Sequence, residues 1–116
     1  MGLGFIIKGS EVMSEIPKRY LKFKEDYPQV AEAYEAMGDA VHSAGTLDDK
    51  TRALIKLAIS TGAKLKGAVH SHTRKAIKAG TTPEELRQVA ILSLPTIGLP
   101  SMMAALSWID DVVRVK

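Results

Sequence analysis

Apolar residues recur along this chain at three- and four-residue intervals, and no stretch of useful length alternates apolar with polar as a half-buried strand would. The pattern predicts an all-α protein of about six helices. A short first helix covers about Lys18 to Lys24. Asp26 and Pro28 open a second, which carries Val30, Ala33, Tyr34, Met37 and Val41 on one stripe, runs to about Ser43 and stops at Gly45. Asp48 can cap a third. From it Leu54, Leu57 and Ala58 face inward, and Ile55 and Ile59 widen the stripe until little of the helix is polar. Gly62 interrupts the pattern, and a fourth helix extends from about Lys64 to Ala79, with Gly80 beyond its end. Thr82-Pro83-Glu84-Glu85 supplies a Thr cap, a Pro at the first position and a Glu three residues after the cap, which together start a fifth helix. That helix reaches about Leu94 with Leu86, Val89, Ala90 and Ser93 on one face. Pro95, Gly98 and Pro100 form a stiff connection to a last helix, about Ser101 to Val113, whose inward positions are Met102, Ala105, Leu106, Ile109 and Val113.

At 116 residues the chain has the length of one domain. Residues 1–13 read as an extension and 14–116 as the helical domain. The apolar patch Leu3 to Ile7 is too short for a signal-peptide core, and no run of about 18 apolar residues could span a bilayer, so no membrane association is expected. The glycines around Leu3 lack the flanking strand and helix of a phosphate loop. Apolar residues make up 46% and charged residues 25%, the balance of a globular protein. Net charge is +3 with no basic run longer than two residues, which argues against nucleic acid as a partner. There is no cysteine. That excludes disulfides, thiolate metal sites and thiol redox chemistry, and it suits a cytoplasmic location. The third, fifth and last helices carry more apolar surface than a small lone bundle needs, so part of it is expected to meet another copy of the chain. Met102 and Met103 can be core filler or interface residues.

The fourth helix holds the candidate chemistry. At about 100° per residue, Leu65, Ala68, Val69, His72 and Ala76 share one arc with His72 near its centre, while Lys66, His70, Arg74 and Lys78 gather opposite. His70 and His72 point about 160° apart and cannot converge on one ion, so no metal is expected. His70 and Arg74, four apart, face outward as solvated surface or, where that strip meets another subunit, as a grip for an anion. A lone His72 on an apolar face is either a hydrogen-bonded structural residue or the working group of a site; buried, it would be neutral and able to move one proton. No Ser/His/Asp order, paired-carboxylate spacing or nucleotide loop accompanies it.

Four motifs stand in order: Leu47-Asp48-x-Lys50-Thr51-Arg52 opening a helix, His72-x-Arg74 on the next, Ala79-Gly80-x-Thr82-x-Glu84-Glu85, and Gly98-x-Pro100. On these the segment from Leu47 to about Val112 resembles the carboxymuconolactone decarboxylase family, which shares its fold with alkylhydroperoxidase D-like proteins. The resemblance implies an all-α domain that assembles as trimers or hexamers with sites close to subunit contacts. In the peroxidase branch a Cys-x-x-Cys pair precedes the histidine and a glutamate on the preceding helix relays protons. The matching positions here are Leu65, Ala68 and Ala53, so thiol peroxidase activity is not expected. The decarboxylase branch needs neither cysteine nor cofactor, and its histidine matches His72. Acidic residues which that branch tends to carry just before the histidine are replaced by Lys66, Gly67 and Ala68. The resemblance therefore implies a cofactor-free lyase or isomerase acting on a small anionic, carboxylated lactone-type metabolite. His72 would transfer the proton, and Arg74 with His70 or Lys66 would hold a carboxylate from the same or a neighbouring subunit. The alternative it implies is a non-catalytic, oligomeric binding member of the same superfamily.

Overall fold

The computed structural model describes residues 16–113. Seven helices follow one another: α1 (Lys18–Asp26), α2 (Pro28–His42), α3 (Asp49–Gly62), α4 (Lys66–Lys78), α5 (Pro83–Leu92), α6 (Leu94–Ile97) and α7 (Leu99–Val113). No strand occurs among the described residues. The extension expected over residues 1–13 lies outside them. α1 and α2 make one compact unit, and α3 to α7 make another.

In the first unit the Tyr20 hydroxyl donates to Glu35 Oε2 at 2.9 Å, and Lys24 Nζ lies 3.0 Å from the same oxygen. Lys24 and Tyr20 hold the Glu35 carboxyl below its ordinary range. Only Ala31 of α2 is buried. The apolar stripe read on this helix is exposed: Val30, Tyr34 and Met37 are each 56% exposed, and Val41 is 60% exposed. α1 contributes four cations, Lys18, Arg19, Lys22 and Lys24, and has no buried residue of its own. A two-helix hairpin of this composition has too little apolar surface to cover the stripe.

The second unit is built from strong local signals. The Asp48 carboxylate accepts the Thr51 N–H at 2.8 Å and caps α3, which holds this carboxyl below its usual range. α3 ends in a Schellman-type turn, with the Leu65 N–H on the Ser60 carbonyl at 3.2 Å. The left-handed residue of that turn is Lys64, at φ 61, so α4 begins two residues later than the aliphatic pattern implies. Gly80, at φ 99, closes α4 in the same way, and the Thr81 N–H reaches the Ala76 carbonyl at 3.1 Å.

α5 opens on a reciprocal cap. Glu85 N–H donates to Thr82 Oγ1 at 3.1 Å and Thr82 N–H donates to Glu85 Oε1 at 2.9 Å, while Lys50 of α3 pairs with Glu85 at 3.0 Å. Thr82→Ala removes one half of the cap and is expected to lower stability by about 1 kcal/mol, read as a reduced urea midpoint at unchanged slope. The stiff connection predicted after α5 is partly helical. Pro95 sits in the first turn of α6, where its missing N–H costs nothing, and the Ser93 carbonyl accepts from Thr96 and Ile97.

The core of this unit is Leu57, Val69, Ala76, Leu86, Ala90, Ala105, Ile109 and Val113. α4 packs against both α3 and α7, and α5 packs against α7. The alanines at 76, 90 and 105 present small side chains at these crossings, which lets the helices approach closely. Ile55, Ile59 and Leu92 stay 42%, 65% and 65% exposed, so the widened apolar surface of α3 and α5 is largely uncovered within the chain.

Candidate functional site

α4 is turned by roughly a quarter turn from the orientation its aliphatic residues predict. Its buried positions are Val69, Thr73, Arg74 and Ala76. Leu65 is 55% exposed and His72 is half-buried at the edge of the buried arc rather than at its centre. The cause is that α4 has two neighbours. α3 lies along one flank and α7 along the other, and the α7 flank of α4 is lined by polar residues that a count of apolar positions passes over.

Two of those polar residues were expected outside. Arg74 is 9% exposed, not part of an outward strip, and burial pushes its guanidinium below its ordinary value. Among the described residues it makes no hydrogen bond or ion pair. His70 Nε2 lies 3.0 Å from Asp111 Oδ2 on α7, with the His70 side chain 17% exposed. Next to that contact, Arg87 Nη1 donates to Asp110 Oδ1 at 2.6 Å and joins α5 to α7. Lys66 is exposed at the start of α4. So Lys66, His70 and Arg74 do lie on successive turns, but the strip runs inward toward α7.

His72 faces the other way. Residues two apart on a helix point about 160° from one another, so His72 and Arg74 of one copy cannot grip one small molecule. What stands on the His72 side comes from α3. The two helices form a hairpin through the turn at 63–65, and counting back from that turn puts Lys56 on the level of His72 and Arg52 on that of Lys75. Lys75 follows His72 by three residues on the same side of α4. Lys56 is half-buried, and its pKa is lowered first by burial and then by the positive charges of Lys75 and Arg52. Arg52 is itself paired with Asp49.

Lys56, Lys75 and Arg52 thus form one electrostatically coupled group on the α3–α4 hairpin that also carries His72, at positions that sequence reasoning left out of the site. The available signal was Arg52 and Lys56 at a four-residue spacing on a helix whose other positions are mostly apolar. Among the described residues no three His, Asp or Glu side chains come together as a metal site would require. No helix there is long and apolar enough to cross a membrane.

The model of the carboxymuconolactone decarboxylase family matches residues 28–111 of this chain. An uncharacterized protein of Haemophilus influenzae is 33% identical over 66 residues, covering 57% of this chain and 58% of that protein. An uncharacterized protein of Methanocaldococcus jannaschii is 31% identical over 90 residues, covering 77% of this chain and 86% of that one. No solved structure matches.

Proposed function

This chain belongs to the carboxymuconolactone decarboxylase family, and we propose that it is a cofactor-free lyase or isomerase whose proton carrier is His72 and whose substrate is a small carboxylated, lactone-type anion. The observation that supports the reading is the coupled group of cations, Lys56, Lys75 and Arg52, on the α3–α4 hairpin that carries His72. Burial and the neighbouring charges of Lys75 and Arg52 disfavour the Lys56 ammonium, and a carboxylate beside it would favour it. Decarboxylation then needs little else. The bond from carbon to the carboxylate breaks, its electron pair moves into the conjugated lactone carbonyl, CO2 leaves, and His72 delivers one proton to the carbanionic carbon before recovering it from water. The step consumes one proton and no oxidant.

Lys56 and Lys75 are the groups placed to hold the carboxylate within one copy. Arg74, His70 and Lys66 can serve the same substrate only across a contact between copies, because they occupy the far side of α4. The exposed apolar residues Ile55, Ile59 and Leu92 support such contacts, and a trimer or hexamer working in the cytoplasm is the assembly proposed.

Turnover of carboxylated lactones in D2O tests the reading, followed as released CO2 and as one deuterium fixed in the product; a panel with neither signal would remove it. The alkaline limb of KM is a sharper readout. An anion on the cluster raises the lowered pKa of Lys56, so binding takes up protons and affinity falls as pH rises through that value, below the 10.5 of an ordinary lysine. Lys56→Met is expected to abolish this limb and raise KM roughly tenfold or more at neutral pH.

A further inference from the structure

Arg74 is a cation that the chain covers without supplying a counter-ion. It stands one turn after His70, its side chain is 9% exposed, and among the described residues it makes no hydrogen bond or ion pair. The two carboxylates that α7 offers are taken. Asp111 Oδ2 lies 3.0 Å from His70 Nε2, and Asp110 Oδ1 accepts from Arg87 Nη1 at 2.6 Å. A covered charge with no partner costs free energy, and burial pushes this guanidinium below its ordinary value.

The guanidinium is covered but not sealed. Among the described residues, the side-chain polar atoms shut off from solvent without a partner are the hydroxyls of Thr61, Thr73 and Thr81. No nitrogen of Arg74 is one of them, so the head keeps contact with solvent while the stem lies buried. A held stem with an open, unpaired fork suits a planar oxyanion, because two parallel N–H bonds form with little further ordering of the side chain. Lys66, exposed two turns earlier, adds positive charge along the same strip.

We propose that Arg74 is an anion site in its own right, for a small monovalent carboxylate that the guanidinium grips with two N–H bonds. A carboxylate matches the fork in shape and cancels its single charge. A dianion finds no second unpaired cation on this turn, and Asp111, held on His70 one turn away, repels the extra charge. The site is independent of the reaction proposed for His72, which faces the other side of α4.

Titration of the full chain with acetate, sulfate and acetamide at constant ionic strength tests this, read on the Arg74 Nε–Hε resonance. Acetate is expected to shift that resonance and to saturate at one per chain. Sulfate should bind about tenfold more weakly, and acetamide should leave the resonance unmoved. Arg74→Lys keeps the charge without the fork and should weaken acetate by roughly tenfold or more. Arg74→Met keeps the stem and removes the charge. In acetate-free buffer it should melt no lower than wild type, and acetate should raise the melting temperature of wild type alone. His72→Gln should leave acetate binding unchanged. An unmoved Arg74 resonance in wild type, equal acetate affinity in Arg74→Lys, or tighter binding of sulfate than of acetate overturns the proposal. So does an Arg74→Met protein that melts below wild type. A deficit that deepens with protein concentration puts a carboxylate of a second copy on Arg74, and a constant one puts the counter-ion within the chain.

Discussion

His72→Gln is expected to lower the turnover number for an active carboxylated lactone by about 10²- to 10⁴-fold, the usual contribution of a positioned proton-transfer group. Glutamine keeps the polarity and much of the volume of the side chain but has no group that takes up and releases a proton near neutral pH. The loss should therefore fall on kcat, with KM nearly unchanged, because the groups proposed to bind the carboxylate are Lys56 and Lys75. Stability should hardly move, since His72 is half-buried and lies outside the core cluster. A steady-state comparison with a parallel melting curve separates these effects. Equal turnover in both proteins would remove His72 from the chemistry. It would favour the other course open to this sequence, a scaffold that binds without catalysing. The resemblance to the peroxidase branch sets Leu65, Ala68 and Ala53 opposite its cysteines and glutamate, and that substitution pattern is what such a course would leave behind.

How much of this site could be read from the sequence depended on which physical signal marked each residue. Caps are local, and they were legible. Asp48, the Thr82–Glu85 pair and Gly80 announce helix ends through their own side chains or lack of one, and all four act there in the structure. The aliphatic face of α7 was equally plain, and Met102, Ala105, Ile109 and Val113 are buried along it. The orientation of α4 was not, because aliphatic periodicity weighs only hydrophobic side chains. Thr73 and Arg74 are buried by the approach of α3 and α7, a tertiary fact with no trace in the local pattern. Lys64 shows the same limit for the backbone. A lysine in the left-handed region costs about 1 kcal/mol, and only the requirement to reverse direction between α3 and α4 makes it stand there. The stripe on α2 is the reverse case: the sequence marks an apolar face correctly, but nothing in a sequence says what covers it.

Leu57→Ala tests the packing on which both sites rest, and it is expected to cost about 2 to 5 kcal/mol. Leu57 is 0% exposed in the middle of α3 and belongs to the cluster shared by α4, α5 and α7. Truncation there removes transfer free energy and leaves a cavity that the three surrounding helices cannot all close. For a chain of this size each kcal/mol moves the melting temperature by about 4 to 8 °C, so the drop should be plain in a single thermal scan. Leu92→Ala is the informative partner experiment, because the same three carbons are deleted from a side chain that is 65% exposed. In a dilute, monomeric chain it should cost well under 1 kcal/mol. If the loss at Leu92 instead grows with protein concentration, the surface of α5 is covered by another copy, and the stability of the fold is coupled to assembly. The two variants together separate what the chain buries by itself from what it leaves for a partner. A cost at Leu57 that does not vary with concentration would place the core, and the α3–α4 hairpin that presents His72, within the single chain.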